Sequence, residues 1–245
     1  MTLILQADEP LAVAVVGAIH RGDVEALRRL LGDTPGLATS RLGDPGCGES
    51  RTLLHVATDW PGHFPGGPAT IALLVDAGAD VNARFTGRHA ETPLHWAASS
   101  DDVPVLDALL DAGADIEAAG AVIGGGTPLA DAVAFGQWKA ARRLIDRGAR
   151  ATLPQAAALG LLDRVQEHFA GGASPPPADA DRALWYACHG GQRGSAEFIL
   201  ARGANLNWIP PWEAMTPLDA AQRSGAGDLV EWLRGQGAKS ASELP

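Results

Sequence analysis

The sequence has too few cysteines, lysines and long apolar runs to belong to several large classes of protein. Its 245 residues hold two cysteines, Cys47 and Cys188, too few for a disulfide framework or a cysteine-rich zinc site. Two free thiols fit a reducing, cytoplasmic setting. The longest apolar run, Leu11 to Ile19, is nine residues with Gly17 inside it, against roughly 20 for a membrane-spanning helix. The opening segment, MTLILQADEP, reaches Asp8 and Glu9 before a signal-like core forms and has no basic residues ahead of it, so export by a signal peptide is not expected. Positive charge is scarce: 19 Lys and Arg stand against 29 Asp and Glu, a net charge of −10, which disfavours binding to nucleic acid or to an anionic membrane. Of those bases only Lys139 and Lys239 are lysine, a usage associated with a bacterial source. No His-Glu-x-x-His, Cys-x-x-Cys or calcium-loop string occurs, so no metal and no cofactor is expected.

What is present is 46% hydrophobic residues, enough to bury a large core, and they recur with a period. A Gly-Ala pair stands at Gly78-Ala79, Gly113-Ala114, Gly148-Ala149, Gly172-Ala173, Gly203-Ala204 and Gly237-Ala238, most often after a leucine-rich stretch with helical spacing. About twenty residues earlier comes a second mark: Thr52-Leu53-Leu54-His55, Thr92-Pro93-Leu94-His95, Thr127-Pro128-Leu129-Ala130 and Thr216-Pro217-Leu218-Asp219. Each unit therefore reads as two short helices and an extended finger. Thr caps the first helix and Pro fills its first turn, where a missing N–H costs nothing; Gly ends the second in a left-handed conformation.

This pattern resembles the ankyrin repeat, whose period is about 33 residues and whose Thr-Pro-Leu-His-x-Ala string is matched by Thr92 to Ala97. The resemblance implies an all-α solenoid, one domain over residues 1–245, with repeats near 11–43, 50–83, 90–118, 125–152, 153–178, 181–208 and 214–243. Three departures stand out. Pro61 to Pro68 is a Pro- and Gly-rich insertion between the helices of the second unit, the fifth unit lacks the Thr-Pro-Leu-His start and is degenerate, and Ser174-Pro175-Pro176-Pro177 replaces its finger. Charged residues dilute the outer faces of the end units, Glu25, Arg28 and Arg29 in the first and Asp228, Glu231 and Arg234 in the last, as caps require.

The resemblance also implies binding through a concave face made by the first helices and fingers. By position, the candidate partner-binding residues are Trp60, Phe85, His89, Phe135, His189, Trp208 and Trp212. Trp208 and Trp212 bracket two prolines and either face a partner or fold back over the last unit's core. Trp96, Trp138 and Trp232 read as core or convex-face residues. His55 and His95 sit where the family uses imidazole to bond backbone, while His20, His89 and His189 fall at groove positions, where an imidazole can bind a partner or move protons. Gly120 to Thr127 approximates a phosphate-binding loop, but Gly126 stands where its lysine is needed, so a finger loop is expected.

Two functions are open on the sequence. In the first the chain is a non-enzymatic protein-interaction module with aromatic anchors in its groove, burying roughly 1,200–2,000 Å² with its partner. In the second the same groove holds a small molecule or an acid–base site, for which Asp59, His89, Glu91, Asp131 and His189 supply titratable groups. Asp131 occupies the helix position that Trp96 fills one unit earlier and is expected to be partly buried.

Overall fold

The computed structural model describes residues 3–44, 48–170 and 175–244. They form two compact units, Met1–Ala149 and Arg150–Pro245. The first unit contains α1 (Pro10–Arg21), α2 (Val24–Asp33), α3 (Leu53–Thr58), α4 (Gly67–Asp76), α5 (Pro93–Ser99), α6 (Val103–Asp111), α7 (Pro128–Ala134) and α8 (Trp138–Asp146). Odd-numbered helices stack on one another, α1 on α3, α3 on α5 and α5 on α7, and even-numbered helices form a parallel row from α2 through α4 and α6 to α8. The second unit repeats the plan with α9 (Leu153–Leu159), α10 (Leu162–Phe169), α11 (Pro177–His189), α12 (Arg193–Leu200), α13 (Pro217–Arg223) and α14 (Gly227–Gly235). Here α11 lies between α9 and α13, and α12 against α10. No described helix is long and apolar enough to cross a membrane.

The periodic marks do the work their chemistry suggests. Thr52, Thr92, Thr152 and Thr216 each cap a first helix, with the residue three positions on (His55, His95, Gln155, Asp219) reaching back to the cap's own N–H. The glycines of the Gly-Ala pairs, Gly78, Gly113, Gly148, Gly203 and Gly237, have φ of 88° to 99°, and the N–H after most of them bonds a carbonyl five residues back, as Ala79 does to Leu74. Gly172-Ala173 and Cys47 lie outside the described residues, while Cys188 is a buried free thiol. Leucines and small residues fill the space between the rows: Leu54, Leu94, Leu129, Leu74, Leu109 and Leu144 are fully buried in the first unit, and Leu184, Ala187, Leu218 and Ala221 in the second.

Four features depart from the sequence reading. The chain is helical as expected, but a small sheet joins the helices: β1 (Ile4–Leu5) runs parallel to β2 (Arg41–Asp44), which pairs antiparallel with β3 (Glu49–Thr52). Arg41 stitches this finger to the next one, donating to the Ser50 hydroxyl and carbonyl, the Arg84 carbonyl and the Thr86 hydroxyl. The fifth unit keeps its start, because Thr152-Leu153-Pro154-Gln155 carries the same cap and first-turn proline with the middle residues exchanged and Gln in place of His. Helix α11 begins at Pro177 and not near 181, since consecutive prolines supply its first-turn dihedrals and Asp179 sits in the first turn; Ser174 lies outside the described residues. Finally, Gly67 and Pro68 belong to the first turn of α4, which shortens the insertion.

That insertion is packed into the unit. Phe64 stacks on His20 with ring centroids 4.3 Å apart. The His63 N–H donates to the buried Asp102 carboxylate at 2.6 Å, and its Nε2 lies 3.0 Å from the Ser100 carbonyl. His20, a groove candidate by position, is thus half covered by the inserted loop.

Candidate functional site

In the first unit the finger before α5 brings together groups far apart in sequence, around Glu91. Its Oε2 accepts from the Trp96 indole at 2.8 Å and its Oε1 from the Val122 N–H at 2.8 Å, tying the finger to the loop before α7. His89 Nδ1 lies 3.0 Å from Glu91 Oε2, off the hydrogen-bonding line, and its ring stacks on Phe85 at 4.5 Å. The Glu91 carbonyl accepts from the Phe85 N–H and from His55.

Beneath this finger sits Asp131 on α7. It is fully buried, and neither carboxylate oxygen has a hydrogen-bonding partner. Burial first, then the charge and hydrogen-bonding reach of Glu91, raise its pKa to about 8. At neutral pH Asp131 is therefore mostly a neutral acid next to a carboxylate. Glu91 and Asp131 come from adjacent repeats, one finger and one helix, so the sequence supplied the residues without showing that they meet.

His55 and His95 are structural, and their bonds state the tautomer. In each ring Nδ1 accepts from the capping Thr, at 2.8 Å from the Thr52 hydroxyl and 2.9 Å from that of Thr92. Nε2–H then donates into the next finger, at 3.1 Å to the Glu91 carbonyl and 3.3 Å to that of Gly126. Burial pushes the His55 pKa down to about 3 and lowers that of His95.

The remaining candidates are placed separately. Asp59 pairs with Arg51 and accepts from the Trp60 N–H, and Trp60 itself is 80% exposed. Phe135 closes α7 and is 49% exposed. In the second unit Trp212, 50% exposed, lies 5.7 Å from Trp208, 6.1 Å from Trp185 and 6.4 Å from Tyr186, with the Arg182 guanidinium over its ring at 5.9 Å. Trp208 is half buried against the core, so the two prolines hold one indole inward and the other at the surface. Trp185 anchors the cluster through its N–H to the Met215 carbonyl at 2.9 Å, and His189 stacks on it at 5.4 Å. The position-by-position reading overlooked Trp185 and Tyr186, whose signal was a Trp-Tyr pair on a first helix facing a Trp-bearing finger.

Residues 66–155 match the family model for ankyrin repeats in three copies. The fold of the whole chain is similar to the solved human ASB11 ankyrin repeat domain, at a TM-score of 0.53 and 22% identity, covering 92% of this chain and 97% of that one. The chain has the ankyrin-repeat fold. No curated protein matches it.

Within the ankyrin plan, the Gly120 to Thr127 string is the finger loop leading to α7: the N–H groups of Gly120 and Ala121 bond the Gly126 carbonyl, and Val122 is held by Glu91. The ankyrin first helices therefore carry the buried polar chemistry, through Thr caps, imidazoles and Asp131. The second helices carry salt links between repeats, such as Arg143 to Asp107 at 2.8 Å and Arg147 to Asp111 at 2.6 Å.

Proposed function

We propose that this chain is a protein-interaction module that holds its partner with the first helices and fingers of its units. One observation carries the reading. Among the described residues every large exposed hydrophobic lies on the N-terminal strand and the residue before it (Leu3, Ile4), on a first helix or its end (Val13, Trp60, Phe135), or on a finger (Val122, Ile123, Ile209, Trp212). The second helices α2, α4, α6, α8, α10, α12 and α14 present none. Folding alone would distribute isolated exposed hydrophobics over both kinds of helix, whereas a bias to the first helices and fingers marks an interaction surface.

Trp60, Phe135 and Trp212 are the anchors, because large aromatic groups left half or more exposed bring the greatest area at the least side-chain entropy. Phe85 and His89 in the first unit, and His189 and Trp208 in the second, pack on the aromatic groups beside them and hold those in place. The partner is a protein, met without nucleic acid or membrane, and the chain's acidity favours one with a basic surface. A reducing cytoplasm suits Cys188, a thiol whose pKa burial raises. The acid–base reading of the groove is disfavoured by Asp131, the one carboxyl strongly raised among the described residues, because no surface of it reaches a ligand.

Each of Trp60→Ala, Phe135→Ala and Trp212→Ala is expected to weaken partner binding by about 30-fold, roughly 2 kcal/mol for a hot-spot aromatic, with the thermal unfolding curve unchanged. Affinity measured by surface plasmon resonance on the captured complex checks this. Unchanged affinity in all three variants, with the fold intact, removes the proposal.

A further inference from the structure

Helix α11 and the finger between α12 and α13 build an aromatic cluster in the second unit whose outer polar atoms are unused. Trp185 is its floor, a buried ring whose indole N–H donates to the Met215 carbonyl. Trp212 lies over it, with ring centroids 6.1 Å from Trp185, 6.4 Å from Tyr186 and 5.7 Å from Trp208. Trp212 is 50% exposed and its neighbour Ile209 41%, while Tyr186 and Trp208 are half-buried.

The indole N–H groups of Trp208 and Trp212 and the Tyr186 hydroxyl donate to no protein group among the described residues, and none of these atoms is sealed from solvent. Tryptophan and tyrosine packed into a protein ordinarily have the polar tip satisfied, as Trp185 does and its three neighbours do not. A fourth donor is the exposed Arg182, whose guanidinium lies 5.9 Å from the Trp212 ring centroid and forms no ion pair among the described residues. The acid beside it in sequence, Asp181, accepts from the Asn205 N–H, and Glu213, the carboxylate of the finger, is held by Arg223.

A surface of aromatic faces and unanswered donors selects the backbone that fits it. An α-helix has its carbonyls bonded internally, and an extended strand brings an N–H with every carbonyl. A polyproline-II segment has no internal hydrogen bonds and its prolines carry no N–H, so it offers carbonyl acceptors together with apolar rings that pack on aromatic faces. Its conformation is set before binding, so little entropy is lost on docking. Over the whole chain acidity favours a basic partner, but at this cluster the uncompensated charge is Arg182, which is matched by a carboxylate on the ligand. We infer that the Trp212 cluster binds a proline-rich segment of the partner in the polyproline-II conformation, with prolines on Trp212 and Tyr186 and an acidic residue on Arg182. The inference rests on the partner-binding reading and names what the partner brings to Trp212.

The test is isothermal titration of the full chain with a capped peptide of about nine residues, all proline but for a central glutamate, a length that forms polyproline II. Its controls carry glutamine or lysine at the centre, or keep the glutamate in a glycine–serine chain. The glutamate peptide is expected to bind one to one, the glutamine peptide about threefold more weakly, the lysine peptide more weakly still, and the glycine–serine peptide without saturation. Trp212→Ala should weaken the glutamate peptide by about 30-fold, and Tyr186→Phe, which keeps the ring, by about fivefold. Arg182→Gln should make the glutamate and glutamine peptides equal. Equal binding of the glycine–serine peptide, a lysine peptide as tight as the glutamate one, or parent-like affinity in both Trp212→Ala and Tyr186→Phe would overturn the assignment. So would saturation by an oligouridylate with no response to the peptide, which would make the cluster a stacking platform for nucleic acid. A captured partner that needs Trp212, with no binding of the proline peptide, sinks this inference and leaves the interaction module standing. A proline peptide held through Trp212 supports the inference even where the captured partner is indifferent to Trp60 and Phe135.

Discussion

Asp131→Asn is expected to raise the melting temperature by about 5 °C or more at pH 8.5 and to change it little at pH 4. The sign follows from the direction of the shift. An ordinary aspartate has a pKa of 3.8, and burial beside Glu91 raises that of Asp131 to about 8 in the folded chain. Below 3.8 both states carry the proton and the site costs nothing. Between 3.8 and about 8 the unfolded chain loses its proton while the folded chain keeps it, so stability declines as pH rises, and the full cost is reached above 8. Asparagine removes the titration and keeps the size of the buried side chain. Glu91, Arg84 and His89 act electrostatically on His95 in the same cluster, and the substitution leaves all of them in place. Thermal melts of both proteins at half-unit pH steps check this: the gap between the variant's melting temperature and the parent's should widen by several degrees between pH 4.5 and 8. Parallel curves for the two would show that Asp131 is ionised in the fold.

His55→Ala is expected to cost about 3 to 5 kcal/mol, from lost burial, the unpaired Thr52 N–H it leaves behind and the lost bond to the Glu91 carbonyl. His55→Gln should recover part of that loss, because Gln155 makes the same cap in α9, but it should not recover the bond to the Glu91 carbonyl. The pH dependence of this site opposes that of Asp131. With its folded pKa lowered to about 3, His55 contributes stability that is complete above 6.5 and is lost as pH falls toward 3, since only the unfolded chain takes up the proton. Chemical denaturation at pH 7 and pH 4.5 measures both effects. A loss under about 1 kcal/mol for the alanine variant would show that the imidazole is not the link between the caps and the fingers.

The repeats were legible in the sequence because capping and helix termination need particular residues at fixed spacing, and Thr92 to Ala98 and the Gly-Ala pairs state those needs directly. The fifth start was hidden because Thr152 caps through Gln155 and Pro154 sits one place later, a change of letters that leaves the hydrogen bonds the same. The sheet was not legible, since β2 and β3 read Arg-Leu-Gly-Asp and Glu-Ser-Arg-Thr, without β-branched alternation, and are held by the Arg41 side chain reaching another finger. Glu91, His89 and Asp131 could be named as titratable candidates, but a separation of one repeat and a finger gives no distance. Their meeting depends on how far α7 slides along α5, which is set by packing. Trp208 and Trp212 divide between the two outcomes open to them, because Trp185 on α11 fills the inner side and leaves Trp212 at the surface.

The side on which the partner sits is tested most directly by site-specific photo-cross-linking in native extract. A benzophenone side chain is placed singly at Trp60, Phe135 and Trp212, and singly at the exposed second-helix positions Arg28, Arg142 and Arg234. Adducts of one common mass from the first set, with none from the second, are the predicted result. Adducts from the second-helix positions, with the aromatic positions silent, would contradict it.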